Sequence, residues 1–269
     1  MTTVLFERTG EVRLSHIPAP PPAAGQVSVA VAFAGINPTD TYHRRRVTEG
    51  SDELSRVPGV EVSGVVIAVG NGAHWSVGDR VFGLVHDGGL SAVVNADGDL
   101  LVATPSALDD EQASAVPEAF ITAHDGIAQG GLAPGETLLV TGATGAVGLA
   151  AVQIGRALGA RVLGISRSER GDAMLRSLDV VPFPDHGGVD VPSNLAYRDA
   201  VDVVLELVGA RNARGDLAAL RPRGRMVFVA AQGNEDICFN LRDFKTKRAI
   251  LLGSTLRRRG RHAKVDAVR

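Results

Sequence analysis

The chain has 269 residues, 45% hydrophobic and 22% charged, with a formal net charge of -2 at pH 7, which is enough to bury the cores of two domains. The near-neutral balance offers no hold on nucleic acid or a membrane surface, and aromatics at 4% make no platform for stacking bases. Cys238 is the only cysteine, so no internal disulfide can form, a four-cysteine zinc site is excluded, and a reducing, cytoplasmic setting is expected.

The first residues lack a basic region followed by a long apolar run, so no signal peptide is expected, and no apolar stretch reaches bilayer length. Residues 4–31 form short runs split by prolines between Pro18 and Pro22, and residues 26–32 alternate polar and apolar, as strands of a twisted antiparallel or barrel-like domain do. Asn37-Pro38 signals a turn, and Asp40 is placed to cap a short helix from Thr41. Residues 57–70 are a β-rich run closed by a glycine turn, residues 77–83 are another strand with its turn, and strand-like pieces continue to Val102. A junction helix is expected over residues 109–129, interrupted near Pro117.

Residues 140–168 organise the second half of the chain. An apolar run, residues 137–141, leads into Gly142-Ala-Thr-Gly145-Ala146-Val147-Gly148, and apolar residues then recur at Val147, Ala150, Ala151, Ile154 and Leu158 with helical spacing. A second apolar run, residues 161–165, completes a strand, glycine turn, helix, strand unit of the dinucleotide-binding kind. Gly142 allows a tight exit from the strand, Gly145 lets a diphosphate approach bare backbone, and Gly148 permits close packing of the helix. The first amides of the helix, with its dipole, favour the phosphate charge.

About 20 residues past the turn, where an NAD site places a carboxylate for the ribose 2′-hydroxyl, this chain has Ser166-Arg167-Ser168. Arg167 and the hydroxyls suit a 2′-phosphate, so NADPH is expected rather than NADH. The α/β alternation then continues with a helix over residues 172–178, a strand over 201–208, a helix near Leu217, and strands over 225–229 and 249–253. Asp202 and Glu206 interrupt an apolar strand, for which strand-end satisfaction and function are equal readings. The fold class is α/β: a Rossmann doubly wound parallel sheet preceded by a mostly-β domain.

Five segments in this order, Gly35-Ile-Asn37-Pro-Thr-Asp40-Thr-Tyr42, Pro58-Gly-Val-Glu61-Val-Ser-Gly64, Val77-Gly-Asp79-Arg80-Val, the glycine turn with Ala151-Val-Gln153, and Gly253-Ser254-Thr-Leu-Arg257, resemble one family. It is the zinc-independent quinone oxidoreductase branch of the medium-chain dehydrogenase/reductase superfamily, and the resemblance covers nearly all of the chain. It implies a GroES-like catalytic domain over residues 1–118 and an NAD(P)-binding Rossmann domain over residues 119–269. Zinc-dependent members carry cysteine, histidine and cysteine where Asn37, Val60 and Glu118 stand, so no catalytic zinc is implied. Without a metal, hydride transfer suits an acceptor that is already electron-poor, a quinone or activated enone.

By the same resemblance Asn37 and Tyr42 face nicotinamide and substrate, with Asp40 as their companion; turn, packing and helix cap are their structural alternatives. Further cofactor contacts are implied at Thr122, Gly145, Ala146, Val147, Gly209 and Ser254, and a homodimer through edge strands of the nucleotide domains. Relatives continue for roughly 50 more residues that return to the catalytic domain; that return segment is expected to be missing here, with a helix starting near His262 and Arg257, Arg259 and Arg261 as a solvated cluster. Two other readings accompany the quinone reductase: a 2-enoyl-thioester reductase of the same fold, and an NADPH-binding or sensor protein without turnover.

Overall fold

The structure is a computed structural model in which residues 1–50, 57–183, 198–230, 236–257 and 259–268 are described. Met1–Glu118 together with Gly260–Arg269 form one compact unit, and Ala119–Arg259 form a second. The tail thus belongs with the first unit, whereas the sequence reading puts it with the second.

In the first unit β1 (Thr2–Phe6) and β2 (Val12–His16) pair as an antiparallel hairpin. The strands β3 (Gln26–Ala34), β4 (Glu61–Val69), β5 (Arg80–Leu84), β6 (Val93–Asp97) and β7 (Leu101–Ala103) form an antiparallel sheet in the order β6-β3-β4-β5-β7. Val27, Val29, Val62, Val66, Val81 and Val94 make its core, the β-branched filling that alternating strands bring to one face.

Helix α1 (Pro38–Thr48) begins three residues earlier than expected. Proline at the first helical position has its φ preset and no amide to leave unpaired, so the helix opens on Pro38 with Asn37 as its cap. Asp40 is therefore not the cap; from the third helical position its carboxylate accepts the backbone N–H of Asn37 at 2.8 Å. Pro117 likewise splits the expected junction helix into α2 (Asp110–Ser114) and α3 (Pro117–Gln129). Arg80 pairs with Asp110 at 2.6 Å, and the Asp79 carboxylate accepts the Ser76 amide.

The second unit is a parallel sheet of β8 (Thr137–Val140), β9 (Arg161–Gly164), β10 (Val181–Pro182), β11 (Val201–Glu206), β12 (Leu220–Phe228) and β13 (Ile250–Gly253), in the order β10-β9-β8-β11-β12-β13. Besides α3 from Ala119 on, its helices are α4 (Ala146–Ala157), α5 (Glu169–Ser177), α6 (Ala213–Ala219) and α7 (Leu241–Lys247). Leu138, Val140, Val203 and Leu205 pack on one face with Ala123, Ile127, Ala150 and Ala151, while Leu139, Val204 and Met226 pack on the other with Leu217. Both faces are covered, which explains why β8 is apolar without alternation.

Asp202 is explained by the strand end: its carboxylate accepts the Thr137 amide at 2.8 Å and the Arg221 guanidinium at 2.7 Å. Arg225 holds the turn before β8 by a fork onto both oxygens of Glu136, at 2.9 and 2.7 Å, and by bonds to the carbonyls of Gly130 and Gly131. The Arg225 hydrogen bonds keep the Glu136 carboxyl below its usual range despite some burial. Arg225→Ala is expected to destabilise the chain by about 2 kcal/mol in urea unfolding. Arg225→Lys, which keeps the charge but not the fork, should recover less than half of that.

Helix α8 (Arg261–Val268) is fastened to the first unit through Arg261, which reaches Asp97 at 2.5 and 2.8 Å and Asp99 at 2.6 Å. Burial pushes the Asp97 carboxyl up, but the hydrogen bonds from Arg261 and the Asp99 amide outweigh it and hold the group below its ordinary value. A depressed carboxylate contributes stability above its unfolded value, about 3.9, and loses it as pH falls through the lower folded value. The protection of the α8 amides, their exchange relative to the intrinsic rate at each pH, should therefore stay constant from neutral pH down to about 4 and fall only in stronger acid. In Arg261→Ala that protection should be low at every pH.

Candidate active site

Two sets of residues carry chemistry, one in each unit. In the second, Gly142 adopts a left-handed φ of 58° where β8 ends, a conformation other residues rarely take. Gly145 caps α4 without a side chain to bond the first amides, and a Cβ built on it would meet only the Gly142 carbonyl, at 3.4 Å. Gly145 and Ala146 are exposed and Val147 is half-buried; the Gly145 amide donates to the Gly142 carbonyl at 3.0 Å, while those of Ala146 and Val147 at the first positions of α4 have no side-chain cap. A Cβ on Gly148 would lie 2.4 Å from the Gly142 oxygen and 2.7 Å from Ala143, so Gly148 packs α4 onto the turn itself more than onto the strand.

The second signal is Thr122 on α3, whose hydroxyl is buried and has no hydrogen-bond partner among the described residues. A buried hydroxyl without a partner is costly unless a ligand completes it. The open amides of α4 and this orphan hydroxyl fit a dinucleotide.

The remaining predicted contacts are more occupied. Ser166 is buried and its hydroxyl donates to Asp172 at 2.6 Å, so it braces the loop; Arg167 beside it is exposed. Gly209 has φ 131°, and its amide is held by Glu206 at 2.8 Å. Glu206, fully buried, also accepts the Val208 amide at 2.5 Å and the Asn212 amide group at 3.3 Å, which makes it the brace of this loop. Ser254 donates to Asp125 at 2.7 Å, and the same carboxylate takes Gln129 at 2.7 Å and Arg259 at 2.5 Å. Asp125 was missed in the sequence; a lone acid on the apolar face of a helix was its signal. Arg259 and Arg261, expected in a solvated cluster, both have carboxylate partners.

In the first unit Asn37, Asp40 and Glu61 form one network. The Asn37 side chain donates to Glu61 at 2.7 Å, the other Glu61 oxygen accepts the Glu118 amide at 2.8 Å, and Asp40 takes the Gly59 amide at 3.1 Å as well as that of Asn37. Glu61 and Asp40 are both 3% exposed. Burial, the largest cause, raises the Glu61 carboxyl; bonds from Asn37 and Glu118 draw it down, and the negative charge of Asp40 raises it again. Tyr42, on the same helix and 49% exposed, takes no part in this network.

Residues 23–106 match the alcohol dehydrogenase GroES-like domain family and residues 146–268 the zinc-binding dehydrogenase family. Human quinone oxidoreductase is 32% identical over 248 residues, covering 90% of this chain and 75% of that protein. The chain belongs to the quinone oxidoreductase branch of the medium-chain dehydrogenase/reductase superfamily. The quinone oxidoreductase of Thermus thermophilus, solved also in complex with NADPH, aligns with a TM-score of 0.79 and 29% identity over 100% of this chain and 85% of that one. CurK enoyl reductase aligns with a TM-score of 0.82 and 26% identity over 99% of this chain and 85% of that one.

As a member of this branch the chain is an oxidoreductase with a GroES-like first domain and an α/β fold. Of Asn37, Val60 and Glu118, only Glu118 carries a side chain of a zinc-donor type; none supplies sulfur or imidazole, and the Asn37 amide is already bonded to Glu61.

Proposed function

We propose that this oxidoreductase reduces a quinone or an activated enone with NADPH and without a metal. The start of α4 carries the reading: amides uncapped by any side chain, behind a left-handed glycine, suit a diphosphate and little else. Bound there, NADPH supplies the hydride. Arg167, exposed beside the braced Ser166, meets the 2′-phosphate in place of the carboxylate that an NAD site needs. The Thr122 hydroxyl completes its hydrogen bonding on the nicotinamide side, and the loops carrying Gly209 and Ser254 border the dinucleotide.

On the acceptor, the Asn37 amide donates to the oxygen on which negative charge develops. Tyr42 stacks on the ring or donates its proton, and Asp40 keeps the head of α1 in place for both. We further infer a cytoplasmic homodimer joined through β13, one of the two edge strands of the parallel sheet, whose Ile250 is 49% exposed. Among the described residues no helix is long and apolar enough to cross a membrane.

Likeness to CurK enoyl reductase supports a second reading, reduction of a 2-enoyl thioester. Absorbance of the reduced nicotinamide separates these. NADPH oxidation with quinones or enones, and slower oxidation of NADH, is the expected result. Turnover confined to enoyl thioesters would favour the second reading, and binding without oxidation of any acceptor would leave a nicotinamide-binding protein without turnover.

A further inference from the structure

Glu61 stands at the first position of β4, a buried carboxylate in an otherwise apolar and small-residue strand. Nothing in packing requires an acid there, and burying one is unfavourable unless each oxygen is satisfied. Both are: Oε1 accepts Asn37 Nδ2 at 2.7 Å, and Oε2 accepts the backbone amide of Glu118 in the first turn of α3 at 2.8 Å. The sequence also makes room for it, since a Cβ on Gly35 would fall 2.0 Å from Oε1. A carboxylate only accepts hydrogen bonds, so it fixes which end of the Asn37 amide faces it. The nitrogen must turn to Glu61, and among the described residues nothing accepts its second hydrogen. The backbone of Asn37 is fixed separately, through Asp40.

We propose that Glu61 is a positioning residue for the reduction: it orients the Asn37 side chain so that the second N–H of Nδ2 is held ready for the acceptor's oxygen. This rests on the reading of Asn37 as the hydrogen-bond donor. A protonated Glu61 carboxyl would itself donate, and the amide could then turn its oxygen toward it and lose the set orientation. The titratable group facing Glu61 is Asp40, from α1; Glu118, at the head of α3, meets it through its backbone amide. Burial and Asp40 place the Glu61 transition above the ordinary glutamate value of about 4.3.

The test compares the protein with Glu61→Gln, whose oxygen is drawn to the Glu118 N–H and whose NH2 is left toward Asn37, so the native orientation of the Asn37 amide is no longer imposed. With NADPH and a quinone, kcat of the unaltered protein should fall on the acid side with a transition above the ordinary glutamate range. Glu61→Gln should lower kcat about tenfold at neutral pH and lose that limb, with KM for NADPH unchanged. Wild-type kcat with the acid limb retained in Glu61→Gln would overturn the proposal, as would a loss confined to thermal stability. A second measurement does not depend on turnover or on the variant folding: the Asn37 side-chain amide signals in nitrogen NMR of the free protein should titrate with the same transition. Signals that stay fixed through that range overturn the proposal. A chain that oxidises no NADPH yet shows this titration retains the orienting role and loses the reductase reading.

Discussion

Gly145→Asp will weaken NADPH binding at least 100-fold, about 2.8 kcal/mol, and leave the fold as stable as before. The backbone at Gly145 is extended, with φ -78° and ψ 168°, so aspartate fits without strain, and the nearest atom to its Cβ is a carbonyl oxygen 3.4 Å away. At a helix cap aspartate is favoured over glycine by about a few tenths of a kcal/mol, since its carboxylate accepts the first amides. Those are the amides the diphosphate needs, and the new charge repels it. The two effects are thus of opposite sign, which distinguishes a phosphate cradle from a structural turn. Gly148→Ala makes the contrast, because its Cβ would lie 2.4 Å from the Gly142 oxygen; it should cost about 1 to 3 kcal/mol of stability and disturb binding only through the fold. Calorimetric titration and thermal melting of the two variants read both quantities.

Glu206→Ala should destabilise the chain by about 3 kcal/mol and lower the melting temperature by roughly 10 °C. The carboxylate is fully buried and accepts the amides of Val208 and Gly209 together with the Asn212 side chain. Its removal leaves these donors without an acceptor, and Gly209 loses the bond that supports its φ of 131°. Because that loop borders the proposed cofactor site, NADPH affinity should fall with stability. Glu206→Gln, which keeps one accepting oxygen, should retain about half of the effect of the native side chain. A Glu206→Ala variant within about 1 kcal/mol of the native stability would show that the loop is held by other contacts.

Periodicity made the second unit legible in the sequence. The apolar run of β8, the glycines and the helical spacing from Val147 onward are local signals, and the structure places β8, α4 and β9 where they indicate. Element starts were less legible because capping is a contest between neighbours. Asp40 is a good cap by residue type, but Pro38 two residues earlier is better pre-set to begin a helix, so Asn37 took that place. The polar network was the least legible part. Glu61 lies in a β-rich run quoted for its resemblance, yet its partners Asn37 and Glu118 are 24 and 57 residues away, and only the fold brings them together. The pairing of Asp125 with Ser254, 129 residues apart, was hidden in the same way. Ser166 was picked for its hydroxyl, but a hydroxyl two residues from a helix cap is readily taken by a helix carboxylate, here Asp172.

The central claim, that the open amides at the head of α4 hold a reduced nicotinamide dinucleotide phosphate, is tested most directly by calorimetric titration of the folded chain with NADPH. One saturable site is predicted, binding NADPH more tightly than NADH and lost in Gly145→Asp. No heat of binding with either dinucleotide, or equal binding by Gly145→Asp, would contradict it.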